Sequence, residues 1–211
     1  AEVSVGQAIG MRDETAAHNF ATHNITLSLI VSAGWALILF SLAPFIIRFY
    51  ELEQHIASNA INYLRIVSTA FPFVFMSAAF TGIFNAGGRS KIPFSINGIG
   101  LVINMILDPL FIFVFDWKTD GAALATWIAQ ACVFGLFVYH LKFKKILWED
   151  FRFFGRLKRL YTTKIIKIGL PVATLNALFA FVNMFLGRTA STVGGHIGLM
   201  AMTTSGQIEA I

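Results

Sequence analysis

The chain has 211 residues, of which 56% are hydrophobic and 13% charged, with a formal net charge of +5. That balance excludes an ordinary soluble domain, and 22 phenylalanines are more than a water-facing fold of this length could hide, so lipid must be the solvent for much of the surface. The single cysteine, Cys132, excludes a disulfide framework or a Cys-pair redox motif within the chain, and its apolar surroundings predict a small core residue.

A helix needs about 20 mostly apolar residues to cross the hydrocarbon of a bilayer. Ala1 to Gly10 reads as the tail of an earlier helix, closed by the polar turn Met11-Arg12-Asp13-Glu14. Six apolar stretches follow, at 20–49, 57–86, 93–115, 120–142, 164–188 and from 195 onward. All are too long for buried strands. Helix punctuation falls between them: Gly87-Gly88 closes the second, Pro93 opens the third, Gly121 lies at the start of the fourth, Pro171 in the first turns of the fifth, and Gly194-Gly195 before the sixth. The expected fold is all-α, a polytopic membrane helix bundle. Gln207 to Ile211 stop inside a hydrophobic segment, and both chain ends read as cut. Asn24-Ile25-Thr26 matches a glycosylation sequon and reads as a chance match.

Basic residues orient the bundle. Arg12, Arg89, Lys91 and the nine bases from Lys142 to Lys167 fall on one side, twelve of the sixteen Lys and Arg in all, while Arg48, Lys118 and Arg188 fall on the other. The loops at 11–18, 87–92 and 143–163 are therefore expected to be cytoplasmic, in a multi-pass protein of the plasma membrane, most simply a bacterial inner membrane. Segment 143–163 interleaves its bases with Trp148, Phe151, Phe153, Phe154, Leu157, Leu160 and Tyr161, and reads as an amphipathic stretch on the inner leaflet. Nucleic acid is not an expected partner, because that charge has no folded soluble platform.

Ionisable and amide groups inside apolar helices are costly and point to function. Asn104 and Asp108 are four apart and share a helix face, with Asn97 about two turns away on nearly the same line. Pro109 has no N–H to donate, so it should free the carbonyl of Met105 and kink the helix beside the carboxylate. On the next stretch, Thr126 and Gln130 are also four apart, and counting back from the intervening turn sets Asp108 near Thr126 and Asn104 near Gln130. Such a cluster could take up a proton or a small hard cation such as sodium at Asp108. The bland alternative has Asp108 capping a half-helix while the amides bridge helices. Glu209, behind Thr203, Thr204, Ser205 and Gln207, is a second intramembrane acid without an assigned role. Asn176 and Asn183, seven apart on one face, and Phe75 in the Phe-rich run around Pro72, are candidates for a substrate cavity or for packing. Arg65 could serve as a counter-ion or snorkel to the outer interface. His196, at a helix start, reads as a boundary residue. No protease, hydrolase or nucleotide-binding motif appears, so an enzyme is not expected and no cofactor is called for beyond the coupling ion.

Tyr63-Leu64-Arg65-Ile66 with Pro72, Leu107-Asp108-Pro109-Leu110, and Gly121-Ala122-Ala123-Leu124-Ala125-Thr126 with Ala129-Gln130 together resemble the multidrug and toxic compound extrusion (MATE) family, with Gly6-Gln7, Gly10 and Gly169-Leu170-Pro171 in the expected order. The resemblance covers essentially the whole chain. It implies a piece of a two-lobe transporter, from the end of the second helix to the start of the eighth. Residues 1–142 would form a partial amino-terminal lobe, 143–163 the cytoplasmic connector and 164–211 the truncated start of the second lobe. It further implies that Asn104, Asp108 and Thr126 match a proton or sodium site, with Gln130, Asn97 and Pro109 in support. A first-helix aspartate of the family is absent from this chain, and the region around Phe179 is apolar where some sodium-coupled members carry a glutamate. The implied activity is cation-coupled antiport exporting small organic, cationic or amphipathic compounds by a protein that is monomeric at full length. A lipid-linked saccharide flippase of related architecture is the alternative, and a non-transporting scaffold or receptor a third reading.

Overall fold

The computed structural model describes residues 1–148 and 151–209, without the side chains of 196, 199, 201, 202 and 204–209. The described residues form helices only: α1 (Glu2–Gly10), α2 (Glu14–Phe49), α3 (Gln54–Ala86), α4 (Lys91–Pro109) running into a π-helical turn (Leu110–Val114), α5 (Lys118–Lys142) and α6 (Arg159–Glu209). Five segments are long and apolar enough to cross a membrane: Glu14–Phe49, Gln54–Ala86, Lys91–Val114, Lys118–Lys142 and Arg159–Gly195. The stretch after Gly195 is helical but short of a span.

Boundaries differ from expectation where capping outweighs hydropathy. The Asp13 carboxylate accepts the Ala16 N–H at 2.8 Å, so α2 starts at Glu14 and the expected loop 11–18 shrinks to a turn. α6 likewise takes up basic residues from Arg159 onward, which leaves Pro171 well inside it and not in its first turns. Gly87 caps α3, and Gly88 has a φ of 69° that suits glycine. Gly195, with φ 58° and ψ −151°, breaks α6 in a region essentially reserved for glycine, at the expected point of separation.

The bundle packs in two ways along its length. Toward the connector, large side chains interlock: Phe80, Phe84 and Phe137 are fully buried with Ile25, Ile83 and Ile96. Toward the other end the buried positions are small, with Ser32, Ala43, Ser68, Ala70, Ala123 and Ala125 letting α2, α3 and α5 approach. Apolar side chains also make up much of the outer surface: Leu37, Phe45, Phe94, Met105 and Phe113 stand exposed. Cys132 is exposed on α5 and not in the core, because a thiol facing acyl chains meets no polar penalty. Asn24 is 5% exposed and gives its Nδ2 hydrogens to Phe20 O and Ser4 Oγ, which closes the sequon to modification in the fold.

The connector does not lie on the bilayer as a whole. Trp148, Phe151, Phe153 and Tyr161 pack against the core cluster, whereas Phe154, Leu157 and Leu160 are exposed. Composition shows that such a segment is amphipathic but not which surface receives its apolar side, and here the end of the bundle offers one. Polar contacts tie it down. Thr22 Oγ1 donates to Arg152 O at 2.8 Å, and the Lys158 N–H donates to His23 Nε2 at 2.9 Å. His23 Nδ1 lies 2.7 Å from Asn19 O, so Nδ1 serves as donor and Nε2 as acceptor in the clasp.

α6 then runs alongside α2. Tyr161 meets Phe20 edge-on at one end, and at the other Arg188 pairs with Glu51 at 2.6 Å while Ser191 Oγ donates to Tyr50 O at 2.9 Å. Between these attachments residues 169–183 are exposed without exception.

Candidate functional site

The polar residues of α4 and α5 meet because two glycines let the helices close. Gly100 is buried, and a Cβ placed there would fall on Val133 Cγ2, well inside the 3.0 Å that real Cβ atoms keep. Gly121 abuts the backbone of the π turn, where a Cβ would stand 2.9 Å from Phe111 O. With Ala129 also buried, α4 and α5 enclose a cavity of about 270 Å3 lined by Asn97, Gly100, Leu101, Asn104, Thr126, Ala129, Gln130 and Val133. Four of the residues singled out from the sequence thus share one wall-to-wall space.

Asp108 does not line that cavity. It is half-buried one helical turn along, and Asn104 Nδ2 donates to its Oδ1 at 3.4 Å. The count from the turn set Asp108 beside Thr126; in the structure Asn104 borders the cavity with Thr126 and Gln130, and links it to the carboxylate. Pro109 ends α4, after which the backbone shifts to wider hydrogen bonding, with Phe115 N–H reaching Leu110 O at 3.1 Å. A proline cannot donate to Met105 O, and π turns inside membrane helices often mark functional positions. Pro109 thus stands where the helix changes type.

The site is oxygen-rich: a carboxylate, amide oxygens from Asn97, Asn104 and Gln130, and the Thr126 hydroxyl. Among the described residues there is no group of three His, Cys, Asp or Glu that could hold a transition metal, and the available donors are those a proton or a hard monovalent cation would use.

The remaining candidates lie elsewhere. Phe75 borders a separate cavity of about 390 Å3 between α2 and α3 with Asn24, Ser28 and Ala78. Asn176 and Asn183 are exposed on the free middle of α6, and Asn183 Nδ2 donates back to Phe179 O at 3.0 Å. The side chains of Glu209 and His196 lie outside the described residues. Two features were missed by sequence reasoning. The histidine clasp on the connector carries no local motif, and Asp120, which shares a cavity with Arg65, stands at the very start of an apolar stretch. Only the Asn62, Arg65, Ile66, Thr69 stripe at helical spacing could have pointed to the latter.

Known proteins resemble this chain in sequence and in fold. The chain is 26% identical over 212 residues to the probable multidrug resistance protein NorM of Thermotoga maritima, covering 93% of the chain and 44% of that protein. It is 27% identical over 215 residues to the probable multidrug resistance protein YoeA of Bacillus subtilis, covering 94% and 46%. The chain thus spans about half the length of the curated relatives it matches. Its fold superposes with a TM-score of 0.90 on the inward-facing conformation of a multidrug resistance MATE family transporter of the MOP superfamily, at 24% identity over 98% of the chain and 47% of that structure. The MatE family model matches residues 1–110, which include α1 to α4 with Asn104 and Asp108. On that match, and with the bundle described above, the chain belongs to the MatE family.

Proposed function

We infer that this chain forms the cation-coupling part of an antiporter that exports organic, cationic or amphipathic compounds across a bacterial inner membrane, driven by inward flow of protons or sodium. The multidrug resistance names of the relatives support the export reading. One observation carries the coupling reading: an intramembrane carboxylate, Asp108, held by Asn104 at the edge of an amide-lined cavity and next to a π-helical turn.

The chemistry follows from charge in a low dielectric. An ionised Asp108 is costly to enclose, whereas a proton or a sodium ion cancels its charge and lets the site close. Asn104 can offer its N–H to the ionised carboxylate or turn its carbonyl oxygen to a bound cation, and Thr126 adds a hydroxyl in the same space. The π turn after Pro109 holds backbone that can exchange one hydrogen-bond pattern for another, which makes it the natural place for loading to be converted into movement of α4 against α5. The full-length protein would work as a monomer, alternating access between the two sides.

The test is Asp108→Asn in the full-length protein. The amide keeps the size of the side chain and removes the titratable charge. Efflux of a fluorescent organic cation from membrane vesicles should lose its dependence on an imposed proton or sodium gradient while expression stays intact. Undiminished gradient-driven efflux in that variant refutes the assignment. Imposing the two gradients separately on the wild type identifies the coupling ion.

A further inference from the structure

A second cavity, unrelated to Asp108, opens between α2, α3 and α5 at the end of the bundle away from the connector. Its volume is about 570 Å3, and its lining includes Phe40, Arg65, Thr69, Asp120 and Trp127. The Arg65 guanidinium carbon lies 5.4 Å from the centre of the Phe40 ring. Its Nε is buried and has no hydrogen-bond partner. Asp120, in the first turn of α5, borders the same space without pairing with it; among the described residues the single ion pair is Arg188 with Glu51.

This is not the geometry of a snorkelling arginine. Snorkelling carries the guanidinium into interfacial water, which would solvate Nε along with the terminal nitrogens. Here Nε is shut away from solvent while a carboxylate on the facing helix stays unclaimed. Arg65 Nε carries the desolvation cost of an unpartnered buried donor, and a ligand bearing both complementary charges satisfies it while pairing the Asp120 carboxylate in the same largely apolar cavity. The anionic end of such a ligand needs oxygens for the guanidinium fork, as a phosphodiester provides. The cationic end needs N–H groups for Asp120. Phe40, Ile66, Leu124 and Trp127 provide apolar wall, and Phe40 is 45% exposed toward the lipid side.

We propose that this cavity binds the phosphoethanolamine headgroup of a bilayer phospholipid in the leaflet opposite the basic connector, phosphate on Arg65 and ammonium on Asp120. Charge complementarity selects this lipid. Phosphatidylglycerol would bring Asp120 only neutral hydroxyls and no cation, and phosphatidylcholine has no N–H to donate. The volume falls within the range of small-molecule sites, enough for the headgroup with its first methylenes. The proposal rests on the membrane topology and not on the transport reading, so either can fail without the other.

The test uses the delipidated full-length protein in nanodiscs containing phosphatidylethanolamine, phosphatidylglycerol and phosphatidylcholine in equal amounts, with retained lipid counted by native mass spectrometry. The wild type should retain phosphatidylethanolamine over the other two by about tenfold, the scale of one charge-assisted hydrogen bond. Arg65→Gln and Asp120→Asn should each lose that preference. Equal retention of the three lipids by the wild type, a comparison that needs no variant to fold, overturns the proposal. So does an unchanged preference in both variants. Soluble glycerophosphoethanolamine serves as competitor: failure to displace the lipid supports a lipid site, and displacement at matching concentration overturns it in favour of a soluble zwitterion.

Discussion

Adding one methyl group at Gly100 tests whether close approach of α4 and α5 builds the Asn104 cavity. Carbon atoms in ordinary contact stand about 3.5–4.0 Å apart, so the Gly100→Ala methyl, landing on Val133 Cγ2, requires a shift of more than about 1 Å somewhere. Val133 is 4% exposed and β-branched, and a helical valine strongly prefers one rotamer, so it cannot simply turn away. The helices must separate instead. Overpacking of this kind costs about 1–3 kcal/mol, against about 1 kcal/mol gained by removing a helical glycine, for a net loss of up to about 2 kcal/mol. Val133→Ala alone should also destabilise, by about 1–2 kcal/mol, through the space it leaves. The two substitutions together should cost less than their sum by at least about 1 kcal/mol, since each fills or vacates the same volume. The assay is denaturant or thermal unfolding of the full-length protein in one detergent, with all four members of the cycle. Strictly additive effects would refute the claim that these two side chains set the helix separation.

Other expectations follow from the same structure. Asn104→Ala removes the amide that donates to Asp108, so gradient-driven efflux should fall about tenfold while the protein still folds, as read by vesicle transport beside an unfolding curve. His23→Phe keeps the ring against Tyr161 but strands the Lys158 N–H, and tryptic cleavage at Arg152, Arg156 and Lys158 should quicken several-fold with little change in overall unfolding. Gly195→Ala places a Cβ where φ is 58° and ψ −151°, and should cost about 1–3 kcal/mol in the unfolding of α6.

Much of the fold was legible because the bilayer imposes a single length and a single polarity rule. The spans, the Gly87-Gly88 stop and the Gly195 break could be read directly, and the Asn104/Asp108 and Thr126/Gln130 pairs were recognisable as facing stripes. What could not be read depends on a neighbour. The Asp13 cap moved the start of α2, the aromatics of the connector turned toward a core that no local pattern announces, and Asp120 gained meaning only from Arg65 on another helix. Cys132 shows the same limit from the other side: an apolar sequence context does not distinguish protein core from lipid contact.

The clasp between α2 and the connector sets how much slack separates α6 from the helices before it. Residues 143–158, if free, could stretch about 50 Å and let α6 drift as on a rope. Instead Lys158 is held by His23, and α6 begins at the very next residue. The free tether is one peptide long. Movement of α6 against α2 is therefore confined to swivelling about a fixed point near Tyr161, and any widening between them must grow with distance from that point, largest where Arg188 and Ser191 now meet Glu51 and Tyr50.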